Sequence, residues 1–136
     1  MRRETHTVLL VDDQEFTRQL LQNNLTHLKL EARLEKYIWS FQHAHNASLA
    51  LKLFNMYQPE LVFLDIELPD QSGLQLLRRF KEINPDCFVV MVSGVSTLNN
   101  VKESISSGAS SFVVKPFFGE KILSVLSKFK QHCAKA

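Results

Sequence analysis

The chain has 136 residues, of which 45% are hydrophobic and 22% charged, and its formal net charge is +2. These values are typical of one globular domain, and so small a net charge gives no argument for binding nucleic acid or a membrane. No apolar stretch approaches the roughly 20 residues that span a bilayer, and the polar start through His6 is unlike a secretory signal. Cys87 and Cys133 lie in no metal-type spacing, which favours a reducing, cytoplasmic compartment over a disulfide scaffold.

Short apolar runs alternate with helix-length segments five times, which predicts βα units around a parallel sheet. The first strand is expected at about Thr7–Val11, and a helix with apolar residues at helical spacing follows from about Gln14. The second strand, near Ile38–Ala44, has the weakest signal, and Asn46 is a good N-cap for the next helix. The segment 28–38 has no Gly or Pro, so it could extend the first helix by two turns or form a short separate helix.

The other three units have clearer boundaries. The third and fourth strands, Leu61–Leu64 and Phe88–Val92, are almost entirely apolar, as expected where helices cover both faces of a sheet. A helix near Thr97–Ser107 precedes the fifth strand, Ser111–Val114, and a last helix runs from about Gly119 to Gln131. The sequence contains no internal linker and no low-complexity run. We therefore expect one domain over residues 1–136, with its core at about 7–131.

Polar groups follow four of these strands directly. Asp12 and Asp13 follow the first strand, Asp65 the third, Ser93 the fourth and Lys115 the fifth. The carboxyl ends of parallel strands share one edge of the sheet, and ligands bind in the crevice outside that edge. We therefore predict that these five residues form one site.

The predicted site has the groups that phosphoryl transfer to a carboxylate needs. Three carboxylates in one crevice repel one another unless a cation compensates, and Mg²⁺ prefers such oxygen ligands. A carboxylate can attack phosphorus and carry the phosphoryl group as an acyl phosphate, and this transfer depends on positioning and charge neutralisation. Alternatively, Asp12 or Asp13 could do no more than cap the first helix; the presence of Asp65 and Lys115 favours the site.

These segments resemble the receiver domain of bacterial two-component response regulators, and the resemblance extends from about residue 7 to 129. The matching segments are VLLVDD at 8–13, LVFLDIELPDQSG at 61–73, VVMVSG at 89–94 and GASSFVVKPF at 108–117. Each segment is a weak signal alone, but together, in order and at suitable spacing, they are specific. The resemblance implies a doubly wound α/β fold, with a five-stranded parallel sheet of flavodoxin-like order 2-1-3-4-5 and helices on both faces.

The resemblance also implies a role for each residue of the metal and phosphate site. Asp65 corresponds to the phosphoacceptor and Lys115 to the phosphate-binding lysine. Asp12 and Asp13 correspond to the acidic pair that holds Mg²⁺, one directly and the other through water. Glu67, two residues beyond the phosphoacceptor, would add its backbone carbonyl to the metal shell.

Two further residues correspond to the switch of the resembling family: Ser93 to the switch hydroxyl and Phe112 to the switch aromatic residue. The peptide bond between Lys115 and Pro116 corresponds to one that is cis in the family, where it aims the lysine. The departures, Ala47, Leu68 and Ser72 in place of commoner residues and a longer spacing before Asp65, involve none of these groups.

The resemblance implies a signalling protein that catalyses only its own phosphorylation and dephosphorylation. It would take its phosphoryl group from a sensor histidine kinase or a phosphotransfer protein, and would act as a single-domain, chemotaxis-like or phosphorelay receiver. Alternatively, it is the N-terminal receiver of a longer response regulator. A downstream partner or a second copy would contact the face formed by the fourth helix, fifth strand and fifth helix, where Phe118, Leu123 and Val125 could form an apolar patch or pack inward.

Other readings of the motifs are weaker. A haloacid-dehalogenase-type hydrolase would need a hydroxyl residue two positions after its Asp-x-Asp, where this chain has Leu68-Pro69. A flavodoxin would need a phosphate-binding loop after the first strand, where Asp12 and Asp13 would repel phosphate. A degenerate receiver would lack a phosphorylation group, and all are present. His43 and His45 have no third metal ligand nearby in sequence, which disfavours a metal site there.

Overall fold

In the computed structural model, which describes residues 3–95 and 97–135, five strands alternate with five helices. The elements are β1 (Glu4–Val11), α1 (Glu15–His27), β2 (Tyr37–Ala44), α2 (Ala47–Tyr57), β3 (Leu61–Asp65), α3 (Gly73–Ile83), β4 (Phe88–Ser93), α4 (Leu98–Ser106), β5 (Ser111–Val114) and α5 (Gly119–Ala134). The strands form one parallel sheet in the order β2-β1-β3-β4-β5. The predicted fold and strand order are confirmed.

The two faces of the sheet pack against different helices because side chains alternate along each strand. On one face, Val8 and Leu10 of β1 pack with Phe63 of β3 in a core that α1 and α5 cover. On the other, Leu9 packs with the side chains of α2 and α3, where Phe54 and Phe80 stack with ring centroids 4.1 Å apart. Every residue of β3 and β4 is buried, which explains why both strands are apolar up to their last residues, Asp65 and Ser93.

The segment between α1 and β2 follows neither of the two predicted alternatives. The helix ends at His27, and successive turns follow, closed by hydrogen bonds such as Ala32 N–H to Leu28 O at 3.0 Å and Leu34 N–H to Lys29 O at 2.8 Å. Ala32 and Leu34 are buried in the core beneath α1 and α5. Burial of these two side chains draws the segment inward, and Arg33, with φ 59°, has the left-handed conformation that ends helical geometry.

Two alternatives were open for Phe118, Leu123 and Val125, an exposed patch or inward packing, and the structure divides them. Val125 is fully buried, and Leu123 is half-buried against the core, so only Phe118 is exposed, with 74% of its surface accessible. The reason is that α5 packs inward over a wide stripe. Its buried residues are Ile122, Val125, Leu126 and Phe129.

At the edge where the strands begin, His6 joins two carboxylates. Its Nδ1 lies 2.9 Å from Glu60 Oε2 and its Nε2 lies 3.3 Å from Glu4 Oε2, while its ring packs against Tyr37 and Phe129. The hydrogen bond with Glu60 raises the pKa of His6 above its ordinary value; burial opposes this effect and Glu4 adds to it. The protonated imidazole donates from both nitrogens, so it suits both carboxylates.

We expect His6 to make the stability of the protein depend on pH. Because its native pKa is raised, its contribution is present below the unfolded value of about 6.5 and is lost as pH rises through the native pKa. The difference in free energy of unfolding between wild type and His6→Gln should therefore be larger at pH 6 than at pH 8, by up to about 1 kcal/mol, the usual limit for solvent-exposed ion pairs.

Urea denaturation at both pH values measures this difference. His45→Gln, at an exposed position in the turn after β2, is the matched control for loss of a histidine side chain. An equal effect of His6→Gln at pH 6 and pH 8 would contradict the prediction.

Candidate functional site

The register of the parallel sheet brings the predicted site residues together at the edge where the strands end. Val11 pairs with Leu64, so the residues that follow them, Asp12 and Asp65, end neighbouring strands. One carboxylate oxygen from each of Asp12, Asp13 and Asp65 lies within 4.8 Å of the others. We call this group of three aspartates the acidic pocket. Asp12 and Asp65 are buried, whereas Asp13 is exposed.

Lys115 reaches the acidic pocket from the end of β5. Its Nζ lies 2.7 Å from Asp12 Oδ2 and 3.3 Å from Asp65 Oδ2, and its backbone N–H donates to Ser93 O at 2.8 Å. Burial lowers the pKa of Lys115, but the hydrogen bond to Asp12 and the charge of Asp65 outweigh it, so the pKa is raised. The ammonium therefore stays charged between two carboxylates. The Lys115–Pro116 peptide is cis, as predicted.

Asp65 is destabilised as an anion by its surroundings. Burial raises its pKa above the ordinary value, the Lys115 ammonium and the backbone N–H of Glu67 oppose the rise, and the Asp12 carboxylate adds to it. A divalent cation would relieve the same repulsion. An all-oxygen donor set with more negative charge than Lys115 neutralises fits a hard cation such as Mg²⁺.

The alternative that Asp12 or Asp13 caps the first helix is wrong, because the residue at the N-cap of α1 is Gln14. Asp12 Oδ1 accepts a hydrogen bond from Gln14 N–H at 2.9 Å, which orders the turn before α1 but satisfies no N–H group of the helix itself. Asp12 Oδ2 binds Lys115 in the acidic pocket.

The loop after β3 is tied to α2 by Asp70, which the sequence analysis missed. Its two carboxylate oxygens accept hydrogen bonds from Ala47 N–H at 2.8 Å and Ser48 N–H at 2.9 Å, and these bonds lower its pKa. Ser72 caps α3 by accepting from Leu74 N–H at 3.1 Å. The loop that carries Glu67 is thus held at both ends. An acidic residue facing the first turn of α2 could be found only from the fold.

The predicted switch residues lie on adjacent strands. Ser93 is fully buried at the end of β4, and its Oγ accepts a hydrogen bond from Val95 N–H at 3.0 Å. Phe112 lies in β5, where it pairs with Met91 of β4. Its side chain is half-buried against the core on the side of the sheet that α2 and α3 cover.

His43 and His45 do not form a shared site. His43 is bonded to Arg18 and Gln22 of α1, whereas His45 is exposed and has Asn46 within hydrogen-bond distance. Arg18 has no signal in the sequence, because its partners His43 and the Asp12 carbonyl lie outside α1. In the described part of the chain, the only group of three metal-type ligands is the acidic pocket.

Comparison with known proteins identifies the family. The family model for the response regulator receiver domain matches residues 8–127. The chain is 31% identical to chemotaxis protein CheY of Listeria monocytogenes over 121 residues, which are 89% of this chain and 95% of that protein. The solved receiver domain of NtrX from Brucella abortus is 31% identical, with TM-score 0.78, and the match covers 91% of this chain and 98% of that chain.

A second solved structure is the CheX–CheY–BeF₃–Mg²⁺ complex from Borrelia burgdorferi, with 27% identity, TM-score 0.77 and coverage of 89% of this chain and 86% of that chain. The chain belongs to the response regulator receiver domain family and is a CheY-like receiver of two-component signalling. None of the helices described for it is long and apolar enough to cross a membrane.

We expect Gly73 to be indispensable for the position of Asp65. A Cβ at Gly73 would lie 2.0 Å from Asp65 O and 2.8 Å from Ile66 Cα, both backbone atoms that cannot move independently of the site. Gly73→Ala should lower the free energy of unfolding by about 3 kcal/mol, the upper part of the usual cost of overpacking. Denaturant unfolding measures this loss.

Gly94→Ala is the matched control at the same edge of the sheet, because a Cβ there would have no heavy atom within 4 Å. We expect its stability to remain close to that of wild type. Equal stability of the two variants would contradict the argument from close approach.

Proposed function

We propose that Asp65 is the phosphoacceptor of this receiver and takes its phosphoryl group from a sensor histidine kinase or a phosphotransfer protein. The observation that carries the proposal is the Lys115 ammonium, 2.7 Å from Asp12 and 3.3 Å from Asp65 in the acidic pocket. Asp65 is the pocket residue on β3, the central strand of the sheet.

The proposed transfer is a single displacement at phosphorus. An Asp65 carboxylate oxygen forms a bond to phosphorus, the bond from phosphorus to the donor imidazole nitrogen breaks, and that nitrogen takes up a proton. Lys115 offsets part of the effect of burial on Asp65 and is placed to bind a phosphoryl oxygen. Ser93, at the end of the next strand, would donate its hydroxyl proton to another phosphoryl oxygen. Catalysis would thus be limited to the receiver's own phosphorylation and dephosphorylation.

We assign Mg²⁺ to the acidic pocket, with Asp12, Asp13, Asp65 and the backbone carbonyl of Glu67 as the groups that would hold it. When bound, Mg²⁺ neutralises charge on the phosphoryl group and on the carboxylates. The presence of Mg²⁺ and BeF₃ in the related CheX–CheY complex supports the assignment.

The proposed output is a protein contact made by one receiver domain over residues 1–136, through the face of α4, β5 and α5. Phe118 and Val114 are exposed there, and α4 adds Leu98 and Ile105, with 69% and 52% of their surfaces accessible. Exposed apolar side chains of this size are typical of contact surfaces. The partner would be a downstream protein or a second copy, and neither nucleic acid nor membrane; in the related complex, CheY is bound to another protein, CheX.

We expect Asp65→Asn to abolish labelling by acetyl phosphate in the presence of Mg²⁺, because the amide cannot form the acyl phosphate. Asp13→Ala should weaken Mg²⁺ binding while leaving the fold intact, since Asp13 is exposed and its loss leaves no cavity. Intact-protein mass spectrometry measures the labelling, and isothermal titration calorimetry measures the Mg²⁺ affinity.

The control for these variants is Asp86→Asn, an exposed acid before β4 at the opposite edge of the sheet. It should be labelled as wild type is. Stoichiometric labelling of Asp65→Asn would contradict the assignment of Asp65 as the phosphoacceptor. Hydrolysis of many phosphoryl groups per protein molecule would indicate a hydrolase.

Phosphorylation should shift Ser93 and Phe112 together. The Ser93 hydroxyl would move toward the phosphoryl oxygen, and the half-buried Phe112 ring would rotate into the space it leaves. The phosphoryl group can shift the equilibrium between the two arrangements of Ser93 and Phe112 only if it interacts more favourably with one arrangement than with the other. Phe112 has no hydroxyl, so packing alone must hold its inward rotamer. Crystal structures with and without beryllofluoride and Mg²⁺ test the coupling; unmoved Ser93 and Phe112 would exclude it.

A further inference from the structure

Asp12 is held at its backbone as well as at its carboxylate. Its N–H donates to Ala44 O of β2 at 3.1 Å, and its carbonyl oxygen accepts a hydrogen bond from Arg18 Nη1 at 2.6 Å. Arg18 lies at the end of the first turn of α1 and is half-buried. Arg18, which lies outside the acidic pocket, therefore fixes the backbone of Asp12, and the Asp12 carboxylate extends from that backbone into the pocket.

The guanidinium of Arg18 is itself held in place. Its Nε donates to His43 Nδ1 at 3.1 Å, and His43 Nε2 lies 2.6 Å from Gln22 Oε1. Since Nδ1 accepts, the neutral ring carries its proton on Nε2 and donates it to Gln22. Burial and the positive charge of Arg18 lower the pKa of His43, and Glu15 of α1 opposes them. His43 therefore remains a neutral acceptor for Arg18.

We propose that Arg18 is a positioning residue for the phosphoryl-transfer site, and that His43 and Gln22 hold its guanidinium in the required orientation. The inference rests on the proposed function of the acidic pocket. A guanidinium has its Nε and Nη donors in a fixed planar fork, so it can bond the Asp12 carbonyl and His43 at once. Without this fork the end of β1 is free to shift, and the Asp12 carboxylate shifts with it.

The first test measures Mg²⁺ affinity by calorimetry and the rate of Asp65 labelling by acetyl phosphate in Arg18→Gln. Loss of a residue that orients a metal ligand typically lowers metal affinity or activity by 10–100-fold. Both the Mg²⁺ affinity and the labelling rate of Arg18→Gln should therefore fall by about tenfold or more. Arg79→Gln, at an exposed arginine of α3 paired with Glu82, is the matched control and should retain both.

The second test uses His43, whose side chain bonds Arg18 and Gln22 and none of the residues of the acidic pocket. His43→Leu removes the acceptor and should lower Mg²⁺ affinity, whereas His43→Asn places an amide oxygen near the position of Nδ1 and should restore most of it. His27→Leu is the control for loss of a histidine. In a double-mutant cycle, His43→Leu should add no further loss to Arg18→Gln, because its effect passes through Arg18.

The outcomes separate this inference from the proposed function. If wild type binds Mg²⁺ and is labelled, but Arg18→Gln and His43→Leu behave as wild type does, the positioning role is overturned and the phosphoacceptor assignment stands. If wild type binds Mg²⁺ but is not labelled, the assignment fails, and the Mg²⁺ affinities of the variants still decide the role of Arg18. If Arg18→Gln does not fold, the contrast between His43→Leu and His43→Asn decides it.

Discussion

The contact of the Lys115 ammonium with Asp12 and Asp65 is the interaction on which the site depends. Burial raises the pKa of Asp65, and a buried carboxylate without compensation would take up a proton rather than remain an anion. Lys115 offsets part of this cost, and its own pKa is raised in return. The negative charge that remains in the acidic pocket favours a divalent cation there. In the proposed function, Asp65 is a buried carboxylate that Lys115 neutralises only in part, and a bound metal ion would complete that neutralisation.

This balance of charge requires the backbone to be held closely. The strands that carry Asp65 and Ser93 are buried along their whole length, so their ends cannot move independently. The loop after β3 is fixed to the first turn of α2 by Asp70, and the approach of Gly73 to Asp65 O leaves no room for a side chain. Arg18 holds the carbonyl of Asp12 from the side of α1. Each group in the pocket is thus positioned by a different neighbouring element.

The local sequence patterns were sufficient to predict the parallel sheet and the convergence of the pocket, whereas the strand order was predicted from the resemblance to the receiver family. Apolar runs such as Leu61–Leu64 locate the strands, and parallel topology brings their ends to one edge. Local patterns were insufficient where long-range packing decides. The buried Ala32 and Leu34 shape the turns before β2, and the inward stripe of α5 buries Val125; neither contact has a signal in the local sequence. The switch and metal roles of individual residues remain predictions.

The pKa values of His6 and His43 show why the charge state of a side chain is harder to predict from sequence than the fold. His6 lies beside Glu60, 54 residues away, and its pKa is raised; His43 lies beside Arg18, 25 residues away, and its pKa is lowered. As pH falls below about 6.5, the unfolded value, His6 retains its stabilising ion pairs, whereas His43 loses stability because the unfolded state binds the proton more readily. Protonation of the two histidines therefore has opposite effects on the stability of the fold in acid. A proton on His43 would bind the Nδ1 lone pair that accepts from Arg18, so it would remove the acceptor that orients the guanidinium toward the Asp12 carbonyl.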